Sequence, residues 1–341
     1  MAEREGAVEG VGMTAWKGRS VLVTGASGLV GSWLTPRLVS LGAEVTVLVR
    51  DWDPQSELIR SGAVHRCRVV SGRLEDVTDL ERALVDYEVD SVFHLGAQAV
   101  VGAALKSPLA TFESNIRGTY HLLEACRRQA ETVRRVIVAS SDKAYGDSTV
   151  LPYTEEMPVS GRHPYDVSKS CTDLLSQCYG ATYGLRVAVA RCGNIYGGGD
   201  LNWSRIVPGT IRSALAGERP VLRSDGTYVR DYLYVEDVVD AYVALAEALG
   251  RPGVAGEAFN FGPERPLTVL EITGALLRLL GREDLEPVVL NEARGEIRDQ
   301  YLDSSKSERL LGWKAKWALD AGLAETIDWY RKYLGEAAGP S

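Results

Sequence analysis

The sequence predicts an α/β fold, a Rossmann-type doubly wound parallel sheet with a smaller C-terminal domain, on three observations. Apolar strand-like runs alternate with amphipathic helical segments from Val21 to about Ala190. The first run ends at Thr24 in a turn carrying Gly25, Gly28 and Gly31, and a helical segment follows to about Leu41. Polar or glycine clusters follow each apolar run, after Thr24, Val49, Leu95, Ala139 and Ala190. Such alternation gives a parallel sheet with helices on both faces and ligands in the crevice beyond the carboxyl ends of its strands.

The glycine turn comes first in the chain. It aims the first backbone N–H groups of a helix at an incoming anion, and the absent side chains let a pyrophosphate approach closely, so a dinucleotide is its natural guest. The second strand, Val45 to Val49, ends in Arg50-Asp51, where an adenosine ribose would lie. A carboxylate there accepts from a 2′-hydroxyl and an arginine favours a 2′-phosphate, so Asp51 argues for NAD and Arg50 for NADP. A third strand is expected at Cys67 to Ser71, a helix at Thr78 to Val85, and a fourth strand from Ser91 to Leu95 running into Gly96-Ala97-Gln98. One long helix is expected from Ala110 to Arg127, then a fifth strand from Arg135 to Ala139. From about Asn202 the rhythm loosens into shorter pieces, as in a smaller domain closing over the crevice.

Composition narrows the classes of function. A length of 341 residues suits one large α/β domain or two joined ones. A net charge of -8 without a basic patch argues against a nucleic-acid partner. No run of about 18 apolar residues predicts a membrane span. Met1 to Met13 is rich in Glu and Gly and lacks an apolar stretch, so no secretory signal is read and a cytoplasmic protein is expected. Five cysteines, odd in number and without Cys-x-x-Cys spacing, predict reduced, buried thiols and no metal site.

Two constellations carry chemistry. In Tyr165-Asp166-Val167-Ser168-Lys169 the four-residue spacing puts phenol and ammonium on one helix face, where the cation favours the phenolate and makes Tyr165 a base toward a hydroxyl. In Ser140-Ser141-Asp142-Lys143, at the end of the fifth strand, Ser141 can bond a substrate oxygen while Asp142 and Lys143 set an acid beside a potential base.

The combination of Thr24 to Gly31, Asn115, Tyr165-x-x-x-Lys169 and Arg230-Asp231-Tyr232 resembles the extended short-chain dehydrogenase/reductase family, in its sugar-nucleotide epimerase and dehydratase branch, from Trp16 to about Leu334. Within that branch Ser141-Asp142-Lys143, Gly193 to Asp200, Asn260 to Pro263 and Leu311-Gly312-Trp313 are most similar to the CDP-glucose 4,6-dehydratase group.

The resemblance implies bound NAD, with NADP still open, and a nucleotide-diphosphate sugar as substrate. It implies that Tyr165 takes the C4 hydroxyl proton with help from Ser141, that Lys169 holds the nicotinamide ribose, and that Asp142 and Lys143 are the acid and base for loss of water across C5 and C6. A lysine acts as that base only if burial or a neighbouring cation lowers its pKa. The alternative is a 4-epimerase sharing the C4 oxidation, with Asp142 and Lys143 binding the C6 substituent. The cofactor contacts implied are Gly25, Ser27, Gly28, Leu29, Val30, Gly31, Arg50, Asp51, Leu74, Leu95, Ala97, Gln98, Asn115, Tyr165 and Lys169; those to substrate are Asn194, Arg205, Arg230, Asn260 and Arg298.

The chain departs from the family at Gly72-Arg73-Leu74, where an aspartate usually contacts adenine, which strengthens NADP. Val101-Gly102-Ala103-Ala104 replaces a more polar run bordering the sugar. The expected organisation is a flexible extension over 1–17, a dinucleotide-binding domain over 18–195 rejoined by 233–263, a nucleotide-sugar-binding domain over 196–232 and 264–335, and a tail over 336–341. A homodimer is implied, pairing the segments Ala110 to Arg127 and Tyr165 to Tyr183 in a four-helix bundle.

Overall fold

The computed structural model describes residues 15–293 and 295–337. Seven strands form the main sheet: β1 (Ser20–Thr24), β2 (Glu44–Val49), β3 (Arg68–Ser71), β4 (Ser91–His94), β5 (Arg135–Ala139), β6 (Val187–Cys192) and, much later in the chain, β10 (Ala258–Phe261). Their order is β10-β6-β5-β4-β1-β2-β3 and every pairing is parallel. This is the predicted Rossmann-type sheet. All six residues of β6 are buried, as a strand covered on both faces requires. Strand order reverses between β1 and β4, which opens the crevice there.

One face of the sheet buries Leu34, Leu38, Tyr242 and Leu245 from helices Leu29–Ser40 and Val235–Ala248. The other buries Leu80, Leu84, Leu122 and Leu123 from Val77–Asp86 and Gly118–Arg128, with Pro164–Tyr183 packed alongside. The remaining strands are short: β7 (Asn194–Tyr196), β8 (Val221–Leu222), β9 (Val229–Tyr234), β11 (Pro266–Thr268), β12 (Val288–Val289) and β13 (Asp299–Gln300). β9 pairs with β7, β11 and β13, and β8 with β12. They share a third core with the last helix, Leu319–Ala337, built on Tyr196, Tyr232, Leu323 and Tyr330.

Three local expectations are corrected. Residues 1–14 of the expected extension and 338–341 of the tail lie outside the described residues, but Trp16 is core: it packs on Phe93 and its indole N–H donates to Glu247 at 2.7 Å. The long helix expected from Ala110 to Arg127 is helical throughout but not uniformly α: Pro108–Phe112 leads without a gap into a π-turn at Glu113–Arg117 and on into Gly118–Arg128. All five cysteines are free, yet Cys178 is exposed, because its helix turns that position toward solvent. Among the described residues no helix is long and apolar enough to cross a membrane.

Candidate active site

A cavity of about 1480 Å³ runs from the glycine turn across the carboxyl ends of β1, β4 and β5 to the region of β7 and β9. At one end Gly25 adopts a φ of 70°, and a side chain there would drive into the Gly96 backbone beyond β4. A Cβ on Gly31 would come within 2.2 Å of the Gly25 carbonyl oxygen, so the helix docks on the turn only as glycine. No side chain caps helix Leu29–Ser40 and no acid occupies its first turn. Its positive end therefore faces the cavity, and the residues fit a dinucleotide pyrophosphate.

Gly25, Ser27, Gly28, Leu29, Val30, Gly31, Arg50, Asp51, Leu74, Leu95 and Ala97 all line this end. Arg50 and Asp51 are exposed and paired to each other at 2.5 Å. Arg73 lies off the lining, and its backbone N–H donates to Asp79.

Gln98 and Asn115 stand behind the wall. Asn115 is buried at the π-turn: its side-chain oxygen accepts from the Gln98 N–H at 2.6 Å, and its amide donates to the Gln98 carbonyl and to Ser168. It fixes the path after β4 and does not face the cavity. A buried relay continues beneath it. His94 at the end of β4 bonds Thr24 at 2.8 Å and Thr119 at 3.1 Å. Burial holds the imidazole pKa down to about 3, with the Lys169 charge adding to the effect.

In the middle of the cavity the two predicted constellations meet. Ser141, Lys143, Tyr165 and Lys169 all line it. Ser141 donates to Asp142 Oδ1 at 2.9 Å, and its hydroxyl counters part of the rise in the Tyr165 pKa. Lys169 donates to the Ala139 carbonyl at 2.7 Å and lies 6.0 Å from the Tyr165 ring centre. Burial lowers its pKa to about 8. Burial also pushes the Tyr165 phenol up, and the Asp142 charge adds to this, so Lys169 does not by itself deliver the expected phenolate.

Lys143 meets both conditions for a neutral amine. Burial lowers its pKa first and the Arg230 cation second. Burial raises the neighbouring Asp142, whose Oδ2 is buried without a hydrogen-bond partner. Asp142 itself sits just behind the cavity wall.

The substrate residues separate. Asn194, Arg205 and Arg230 line the cavity. Arg205 is braced by Asp200 at 2.7 Å and by the Ile195 carbonyl at 2.6 Å. Asn260 is a correction: it is fully buried, accepts from Tyr145 at 2.7 Å and donates to the Tyr153 carbonyl, so both ends of its amide serve the core. Arg298 is another, since it is exposed, turned to Thr227 and Asp225, and absent from the lining. Sequence reasoning passed over Asp166, Trp203, Arg212 and Tyr242, which do line the cavity. Asp166 adjoins Tyr165 in sequence and was legible; Trp203 and Arg212, stacked at 4.9 Å, lie where the pattern loosens.

Comparison with known proteins agrees with this geometry. Over 336 residues the chain is 29% identical to the CDP-glucose 4,6-dehydratase of Salmonella typhimurium, covering 94% of this chain and 92% of that one. The crystal structure of a dTDP-glucose 4,6-dehydratase from Streptomyces venezuelae with NAD bound superposes with a TM-score of 0.84 at 31% identity, over 93% of this chain and 98% of that one. A UDP-glucose 4-epimerase from Thermotoga maritima, solved with UDP-glucose, gives the same TM-score of 0.84 at 30% identity, over 92% and 99%. Residues 21–262 match the family described as the NAD dependent epimerase/dehydratase family, and the chain belongs to it.

Proposed function

We propose that this NAD-dependent enzyme is a nucleotide-sugar 4,6-dehydratase, similar to the CDP-glucose enzymes. The observation that carries the reading is the adjacent pair Asp142 and Lys143, an acid held up and a base held down by the same burial, Lys143 lining the cavity with Tyr165 and Asp142 just behind its wall. NAD, held at the Gly25 to Gly31 turn, would supply the hydride acceptor for sugar C4 and the hydride source for C6.

The protein's own groups move the protons. Tyr165 takes the C4 hydroxyl proton in its ionised form, which the positive charge of a bound nicotinamide ring would favour where Lys169 alone does not, while Ser141 bonds the same oxygen. The 4-keto group acidifies C5, and the Lys143 amine removes that proton. The proton that Asp142 holds passes to the C6 hydroxyl, which leaves as water. Protonated Lys143 then returns a proton to C5, Tyr165 gives the proton it gained to solvent and Asp142 regains one from solvent, so one molecule of water is lost overall. Arg205 and Arg230, with Asn194, line the stretch assigned to the diphosphate.

A 4-epimerase is the second reading. The position of the Asp142 carboxyl behind the wall favours it, as does the equal likeness to a 4-epimerase structure. The test is replacement of the pair. Asp142→Asn and Lys143→Met are each expected to cut formation of a product lighter by one water by about 10²–10⁴-fold. An epimerase would keep its chemistry in these variants and lose affinity for the sugar instead.

A further inference from the structure

Gln300 is fully buried in β13, where it stands opposite Arg230 in the parallel pairing with β9. The Arg230 guanidinium donates to the carbonyls of Val229 and Arg298 at 2.7 Å each and of Ile297 at 2.5 Å. The chain just before Gln300 is thus wrapped around a fixed cation. From there Gln300 Oε1 accepts from Lys143 Nζ at 3.1 Å. Its Nε2 is buried with no partner. Buried amides seldom leave a donor unpaired, so what ties this side chain to its surroundings is its oxygen.

We propose that Gln300 is a positioning residue for Lys143: its neutral amide holds one N–H of the amine, aims the lone pair at the cavity, and places no negative charge beside it. The use of that lone pair at C5 rests on the dehydratase reading; the hold of Gln300 on Lys143 does not.

An amide carbonyl accepts from an amine and from an ammonium alike, whereas a carboxylate at the same distance favours the ammonium. Charged groups of both signs already act on Lys143. Asp142 on its own turn, Asp166 on helix Pro164–Tyr183 and Glu296 in the loop before β13 favour the cation; Arg230 on β9 and burial oppose it. A neutral residue at 300 leaves that balance alone, and a glutamate would tip it.

The experiment compares wild type, Gln300→Glu and Gln300→Leu in the full chain. Lys143 is titrated by NMR with isotopically labelled lysine, its signal assigned by its loss in Lys143→Arg, and kcat, KM and the pH profile of water loss are measured on the same proteins. Gln300→Glu is expected to raise the Lys143 midpoint by about one pH unit or more and to move the alkaline rise of water loss by the same amount. Gln300→Leu is expected to lower kcat about tenfold with KM near that of wild type, because the lone pair is no longer aimed. A Lys143 titration identical in wild type and Gln300→Glu overturns the proposal whatever reaction the enzyme runs, and so does a wild-type kcat in Gln300→Leu. If Gln300→Glu does not fold, the kcat and KM split of Gln300→Leu decides. A shifted titration in a protein that removes water from no nucleotide sugar supports the hold of Gln300 on Lys143 and overturns the dehydratase reading instead.

Discussion

Lys143 and Asp142 are neighbours whose proton affinities move toward each other, and the consequence is a pH dependence with a worked sign. Water loss needs Lys143 without its proton and Asp142 with its own. The rate therefore falls at both extremes of pH, at low pH because Lys143 is fully protonated and at high pH because Asp142 is ionised. A bell-shaped profile of water loss against pH would agree with this, and a rate independent of pH would contradict it. The Arg50 and Asp51 pair makes a second residue-scale prediction. Asp51 neutralises Arg50 where the adenosine ribose would lie, so Asp51→Ala is expected to improve NADP binding relative to NAD about tenfold, measured by calorimetry. At this scale the sequence was legible wherever spacing stands for geometry: Tyr165 with Lys169, and Ser141 to Lys143. It was not legible for Asn260 and Arg298, because nothing local tells a core amide from a ligand contact or a solvent-turned arginine from an inward one.

Among elements, helix Pro164–Tyr183 carries Tyr165 and Lys169, and what holds it is a buried bracket. Arg191 on β6 binds Asp173 of this helix at 2.7 and 2.8 Å, and its third contact is the Tyr145 hydroxyl at 2.7 Å. Removing one partner strands a buried charge, so Asp173→Asn is expected to cost about 3–5 kcal/mol in denaturant unfolding. The His94 relay couples the glycine turn to the helix after the π-turn and stays neutral. Its folded pKa of about 3 lies below the unfolded value, so the unfolded chain binds the extra proton and stability falls as pH drops from about 6.5 toward 3, by about 1.4 kcal/mol per unit. His94→Gln, which keeps hydrogen-bonding capacity without titrating, is expected to flatten that fall in thermal unfolding. The existence and order of strands were readable from apolar runs, but the π-turn was not. It depends on Asn115 reaching Gln98 and Ser168, a contact formed only in the folded chain.

For the whole molecule, the sheet order follows from the alternation of strands and helices, and β10 joins it from sequence far downstream. The looser stretch from Asn202 onward was read only as a smaller domain, since two- and three-residue strands leave almost no periodic signal. Helices Pro108–Phe112 and Pro164–Tyr183 leave Leu109 and Leu174 largely exposed, 70% and 56%. If the chain pairs across these helices, as the family resemblance implies, light scattering is expected to give twice the 37.1 kDa chain mass and Leu109→Glu/Leu174→Glu to halve it.

The measurement that bears most directly on the central claim is mass spectrometry of products made in heavy water from CDP-glucose, UDP-glucose, GDP-mannose and UDP-glucuronate. A product lighter by one water and carrying deuterium at C5 is the predicted result. A product of unchanged mass, separating on chromatography as a C4 stereoisomer, would contradict it and reassign Asp142 and Lys143 to binding.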